Sequence, residues 1–124
     1  MRDKIYDCIT FFDNLLMFDL RYNILKDKVD YFVICESRFD HRGNPKKINF
    51  VKHQKYDDKK IKHLILENPF PKDTSIWENQ AIQREFLLKS LNFAEPNDYI
   101  FFSDPDEIPR PKILDNFQLK KKYG

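Results

Sequence analysis

This chain of 124 residues contains only two glycines, two cysteines and one tryptophan. Gly43 is the one glycine before the final residue, so no glycine-rich phosphate loop can form. That disfavours P-loop and Rossmann dinucleotide chemistry. Cys8 and Cys35 lack the C-x-x-C spacing of a metal site. Both fall in apolar runs, where a free thiol packs as a small hydrophobe. No apolar stretch approaches the ~20 residues needed to span a bilayer. The polar start Met1-Arg-Asp-Lys-Ile-Tyr-Asp7 is unlike a signal peptide. The expectation is a soluble, cytoplasmic protein with reduced thiols and no membrane span. The 22 basic and 20 acidic residues leave a net charge of +2, too small to attract nucleic acid globally.

Aromatic residues are abundant. With 12 Phe and 6 Tyr in a chain that is 41% hydrophobic, a real core can form, and residues 1–124 suit a single domain. Lysines concentrate in residues 42–62 and again in Lys120-Lys121-Lys122. Such runs read as solvated surface, or as a basic rim attracting an anionic ligand.

Residues 5–12 are nearly continuously apolar, as in a strand covered on both faces. Asp13 and Asn14 can cap a helix over 15–26. A second strand covers 31–35 and ends at Glu36. A loop over 37–47 carries the turn signal Gly43-Asn44-Pro45. A short polar helix over 49–60 and a third strand over 61–67 follow. Ser75 and Glu78 have the spacing of a capping box for a helix in which Trp77, Ala81, Leu88 and Leu91 share one face. Trp77 reads there as a core anchor, and Ile82, Phe86 and Phe93 on the other side imply a well-covered helix. A fourth strand spans 98–103, and a last helix is expected over 112–119. Alternation of strands and helices argues for an α/β fold with a mostly parallel sheet.

The chemistry concentrates where the fourth strand ends. Tyr99-Ile-Phe-Phe-Ser103 runs directly into Asp104, Asp106 and Glu107. Open α/β sheets bind ligands at the carboxyl ends of their strands. Two aspartates one residue apart suit Mg²⁺ or Mn²⁺ bridging a diphosphate; a bland alternative is an Asp-Pro turn capping the next helix. Arg84 lies within the apolar stripe of its helix, where a charge is costly unless paired. It reads either as a contact to the donor or to Asp104 or Asp106, or as a snorkelling side chain or an internal ion pair. Glu36 reads as a hydrogen-bond acceptor for ribose or base, or as a solvated loop carboxylate. His41, His53 and His63 share no ligand spacing and read as surface or loop residues.

Several ordered blocks together resemble glycosyltransferase family 17: residues 5–13, then Val29-Asp-Tyr-Phe-Val-Ile-Cys-Glu-Ser37, Gly43-Asn-Pro-Lys46, Trp77-Glu-Asn-Gln-Ala-Ile-Gln-Arg84 and Ser103-Asp-Pro-Asp-Glu-Ile-Pro109. The resemblance covers about residues 5–112. It implies the donor-binding half of a GT-A-like nucleotide-diphospho-sugar transferase, using UDP-N-acetylglucosamine or a related donor with inversion onto a glycan acceptor. The family's D-x-D element falls on Asp104-Pro105-Asp106, its glutamate on Glu36, and its Gln-Arg pair on Gln83-Arg84, so Glu36, Arg84, Asp104 and Glu107 are expected to bind the donor and Asp104 and Asp106 the metal. Family members continue beyond that element, so the acceptor site and general base are expected outside residues 1–124. This chain alone is then expected to transfer little or no sugar. Two rivals stand beside this reading. One is a non-catalytic binding or self-associating module. The other is a D-x-D phosphohydrolase, which would place the motif after its first strand.

Overall fold

The computed structural model of the chain describes residues 4–50, 56–92, 94–104 and 107–111. Four parallel strands form one sheet: β1 (Ile5–Phe11), β2 (Tyr31–Ser37), β3 (Ile61–Leu66) and β4 (Tyr99–Phe102). Their order is β3-β2-β1-β4. The chain steps outward from β1 to β3, then returns past both to place β4 on the far side of β1. Right-handed crossovers in opposite directions put their helices on opposite faces. Accordingly α1 (Leu15–Leu25) and α2 (Ile76–Lys89) belong to different cores.

Period-two alternation along the central strands feeds both cores. Ile9, Phe32 and Ile34 pack with Phe18, Tyr22 and Leu25 of α1. Tyr6, Cys8, Val33 and Cys35 pack with Leu87 and Leu91 on the α2 side. Burial on both faces explains why β1 and β2 read as unbroken apolar runs. This parallel α/β sheet agrees with the fold class expected from the sequence and with a GT-A-like half. Both cysteines are buried and free, as expected.

Local signals act where they were read. Asn14 caps α1, its side chain accepting from the Met17 N–H at 3.0 Å. Ser75 and Glu78 form the reciprocal capping box of α2. The expected polar helix over 49–60 is corrected. Residues 58–60 form a single 3₁₀ turn, and the backbone N–H groups of Asn49 and Phe50 donate to Glu36 instead. Residues 51–55 and the helix expected over 112–119 lie outside the described residues.

Candidate functional site

A cleft of ≈ 580 Å³ opens beyond the carboxyl ends of β1, β2 and β4. It lies at the switch point, where the chain leaves β1 toward β2 on one side and β4 flanks it on the other. This is where open α/β sheets hold their ligands. Its floor includes Thr10 and Ser37, one wall is the loop bearing Phe39 to Lys46, and the other is α2.

The acidic loop after β4 is held from beneath by a buried ion pair. Arg21 of α1 is wholly buried, and Asp7 of β1 nearly so. Arg21 Nε and Nη2 donate to the two Asp7 carboxylate oxygens at 2.6 and 2.7 Å. Nη2 also donates to Ser103 Oγ at 2.6 Å, and Nη1 donates to the Glu107 carbonyl at 2.8 Å. A planar fork with five donors suits this task. The sequence reading missed both residues. Their signal was available: Asp7 is the one charge within residues 5–12, and Arg21 shares a helix face with Phe18, Tyr22 and Leu25.

Asp104 is exposed and lines the cleft. Among the described residues its carboxylate has no hydrogen-bond or ionic partner. Its backbone N–H instead meets Glu107 Oε1 at 3.2 Å, and the Glu107 N–H donates to the Asp104 carbonyl at 2.9 Å. Glu107 thus closes the turn that presents Asp104. Asp106, the second half of the acidic pair, lies outside the described residues. No group of three ligating side chains occurs among the described residues. The hard oxygen of Asp104, unpartnered at the cleft, is of the type Mg²⁺ or Mn²⁺ takes.

Glu36 is fully buried, so the solvated-loop reading does not hold. Lys46 Nζ donates to it at 2.7 Å, the Asn49 and Phe50 N–H groups donate at 2.5 and 3.1 Å, and His63 Nε2 lies 3.3 Å away. Alternation along β2 turns Ser37, rather than Glu36, onto the cleft floor. Glu36 anchors the 46–50 segment from within the fold. Lys46 is equally committed, donating also to the Ser37 and Lys47 carbonyls. His63 lies within β3, not in a loop.

The α2 helix is rotated from its expected setting. Asn79, Gln83 and Leu87 form its buried face. Trp77 is 77% exposed, so it is not a core anchor, and Ala81 and Leu88 are exposed beside it. The reason lies in the polar partners. Gln83 Nε2 donates to the Cys35 carbonyl at 2.9 Å, and Asn79 Nδ2 to the His41 carbonyl at 2.8 Å. The sheet and loop edges require donors there, and amides supply them. Arg84 therefore carries no burial cost. It is exposed on the cleft wall, with its Cζ 5.9 Å from the Phe102 ring centroid and no carboxylate partner among the described residues.

The loop facing α2 is well defined. Phe39 bridges Pro45, and Asp40 Oδ1 accepts from the N–H groups of Arg42 and Asn44. Gly43 adopts φ +91°, a conformation glycine reaches without steric cost. These contacts set His41 against Gln83, its Nε2 2.6 Å from Oε1.

Comparison with known proteins completes the assignment. Residues 1–124 match the profile of glycosyltransferase family 17. The chain is 31% identical over 104 residues to the human and rat proteins named β-1,4-mannosyl-glycoprotein 4-β-N-acetylglucosaminyltransferase, and 30% to the mouse one. Each alignment covers 75% of this chain and 19% of the relative, so the chain spans about a fifth of the length of these curated relatives. No solved structure matches. The chain belongs to glycosyltransferase family 17.

Proposed function

We propose that the cleft binds the diphosphate and nucleoside of a UDP-sugar, with N-acetylglucosamine as the sugar, and serves as the donor half of inverting transfer to a glycan acceptor. The observation that carries this reading is that Arg84 and Asp104 face the same cleft. Both line one cleft at the switch point of a parallel sheet, and both carry charge that no described residue neutralises. The family, and relatives named as N-acetylglucosaminyltransferases, support the choice of sugar and reaction class.

In this reading Arg84 meets the diphosphate through charge-assisted hydrogen bonds. Asp104, with Asp106, would hold Mg²⁺ or Mn²⁺. A divalent cation there supplies neutralisation of the charge that builds on the departing diphosphate. Asp7 and Arg21 hold the loop that presents Asp104, while Glu36 and Lys46 hold the opposite wall. Trp77 and Phe12, both exposed and both lining the cleft, offer flat apolar faces to a base or sugar ring. Transfer itself joins the acceptor oxygen to the anomeric carbon as the bond to diphosphate breaks. The acceptor proton must pass to a base within hydrogen-bond reach, and no described residue is assigned that role. The function proposed for these 124 residues is donor binding, with transfer requiring further groups.

Calorimetry with UDP and Mn²⁺ tests the reading. Wild type should release heat of binding, Asp104→Ala and Asp106→Ala should lose the metal-dependent part, and Arg84→Ala should bind about 10- to 100-fold more weakly, as loss of a charge-assisted hydrogen bond predicts. No heat with wild type, or equal heat from all four proteins, would overturn it.

A further inference from the structure

Two hydrogen bonds determine the proton position on His41. Gln83 is buried, and its side-chain amide lies between a carbonyl and an imidazole. The Cys35 carbonyl can only accept, so the Gln83 group 2.9 Å from it is the NH₂. The other end, Oε1, can only accept, so the His41 Nε2 at 2.6 Å must carry the hydrogen. The neutral ring is then an Nε2–H tautomer, and Nδ1 keeps its lone pair.

Among the described residues Nδ1 has no hydrogen-bond partner. No buried side-chain nitrogen or oxygen there is left unpaired either. Nδ1 is therefore accessible, and His41 lines the cleft. We propose that Gln83 locks His41 in this tautomer so that Nδ1 serves as a specificity-determining acceptor for an N–H or O–H group on the bound donor. The inference rests on the donor-binding reading and deepens it. His41 touches the ligand; Gln83 is a positioning residue that acts through it. Two ligand groups have the required chemistry, the uracil N3–H and the ribose 2′-hydroxyl. A ligand offering only an acceptor at that point leaves two lone pairs opposed and is discriminated against.

The test uses the ¹⁵N-labelled full chain at pH 8. Long-range ¹H–¹⁵N spectra should show His41 protonated at Nε2 and bare at Nδ1, with Nδ1 shifting when UDP and Mg²⁺ are added. His41→Phe should weaken UDP binding about tenfold, the size of one lost hydrogen bond. His41→Asn, which returns an acceptor near the Nδ1 position, should restore most of it. Gln83→Met, if its amide spectrum shows a folded chain, should mix the two tautomers. UDP methylated at N3, and 2′-deoxy-UDP, separate the two partners. The analogue lacking the group that is read should bind wild type and His41→Phe alike.

An Nδ1–H tautomer in wild type would overturn the inference. So would an unmoved His41 resonance at saturating UDP, or equal UDP affinity in His41→Phe; in those cases the donor-binding reading would stand. Failure of wild type to bind UDP at all would instead remove both.

Discussion

The guanidinium of Arg21 and the carboxylate of Asp7 meet through two parallel hydrogen bonds in the interior, between α1 and the central strand. The same guanidinium reaches the loop after β4 through Ser103 and the Glu107 carbonyl. One buried cation thus couples the helix, the central strand and the acidic loop. Removing either partner strips the other buried charge of the counter-charge this pair supplies. Arg21→Met and Asp7→Leu should each cost about 3–5 kcal/mol, and the double variant less than their sum. Urea unfolding measures all three.

Glu36 and Lys46 form a second shielded pair, with side chains 0% and 11% exposed. Glu36→Gln strips the counter-charge from Lys46 and should cost about 3 kcal/mol. Arg38 and Glu67 provide the contrast, because their pair is open to water. Arg38→Ala should move the urea midpoint far less than Glu36→Gln does, because water screens an exposed pair. Urea midpoints of the two variants, compared directly, check the ordering.

Burial pushes the Cys8 and Cys35 thiols up to about 12. In the unfolded chain a thiol titrates near 8.5. Between these values the folded state keeps protons that the unfolded state has lost. The stability from both thiols is therefore complete below about pH 8.5 and is lost as pH rises toward 12. The slope should approach ~1.4 kcal/mol per pH unit for each thiol. Unfolding measured at pH 8 and at pH 10.5 should show the fall, and Cys8→Ala with Cys35→Ala should flatten it. At pH 8 neither native thiol should react with an alkylating reagent, while both should react in denaturant.

Trp77 stands in solvent on the cleft rim. Trp77→Ala should change stability by no more than about 0.5 kcal/mol, as for other exposed positions. As the only tryptophan, its emission should be that of a hydrated indole and should change on addition of UDP with Mg²⁺. A blue-shifted, acrylamide-protected emission from the free protein would contradict this placement.

Much of the architecture was legible in the sequence because it follows from local patterns. The apolar runs around Cys8 and Val33 require cover on both faces, and Ser75 with Glu78 announces the start of α2. The acidic loop after β4 was legible too, since a strand of this kind ends where ligands bind. The setting of α2 was not. Its apolar residues Trp77, Ala81 and Leu88 suggested a core face, yet Asn79 and Gln83 turn inward. Amphipathicity compares side chains with water, and it carries no record of carbonyls elsewhere that need donors. The Cys35 and His41 carbonyls are those groups.

By itself the sequence determined the element order, the parallel α/β class, the inert state of the thiols and the family, all of which reside in local patterning or ordered blocks of residues. Only the tertiary structure decided which charges are paired. Asp7 is 14 residues from Arg21, and Glu36 is 10 from Lys46 and 27 from His63. Nothing in linear spacing joins such groups. The cost of leaving a buried charge or amide unsatisfied is felt only when the sheet closes, and among the described residues Arg84 and Asp104 are charges that face the cleft without partners.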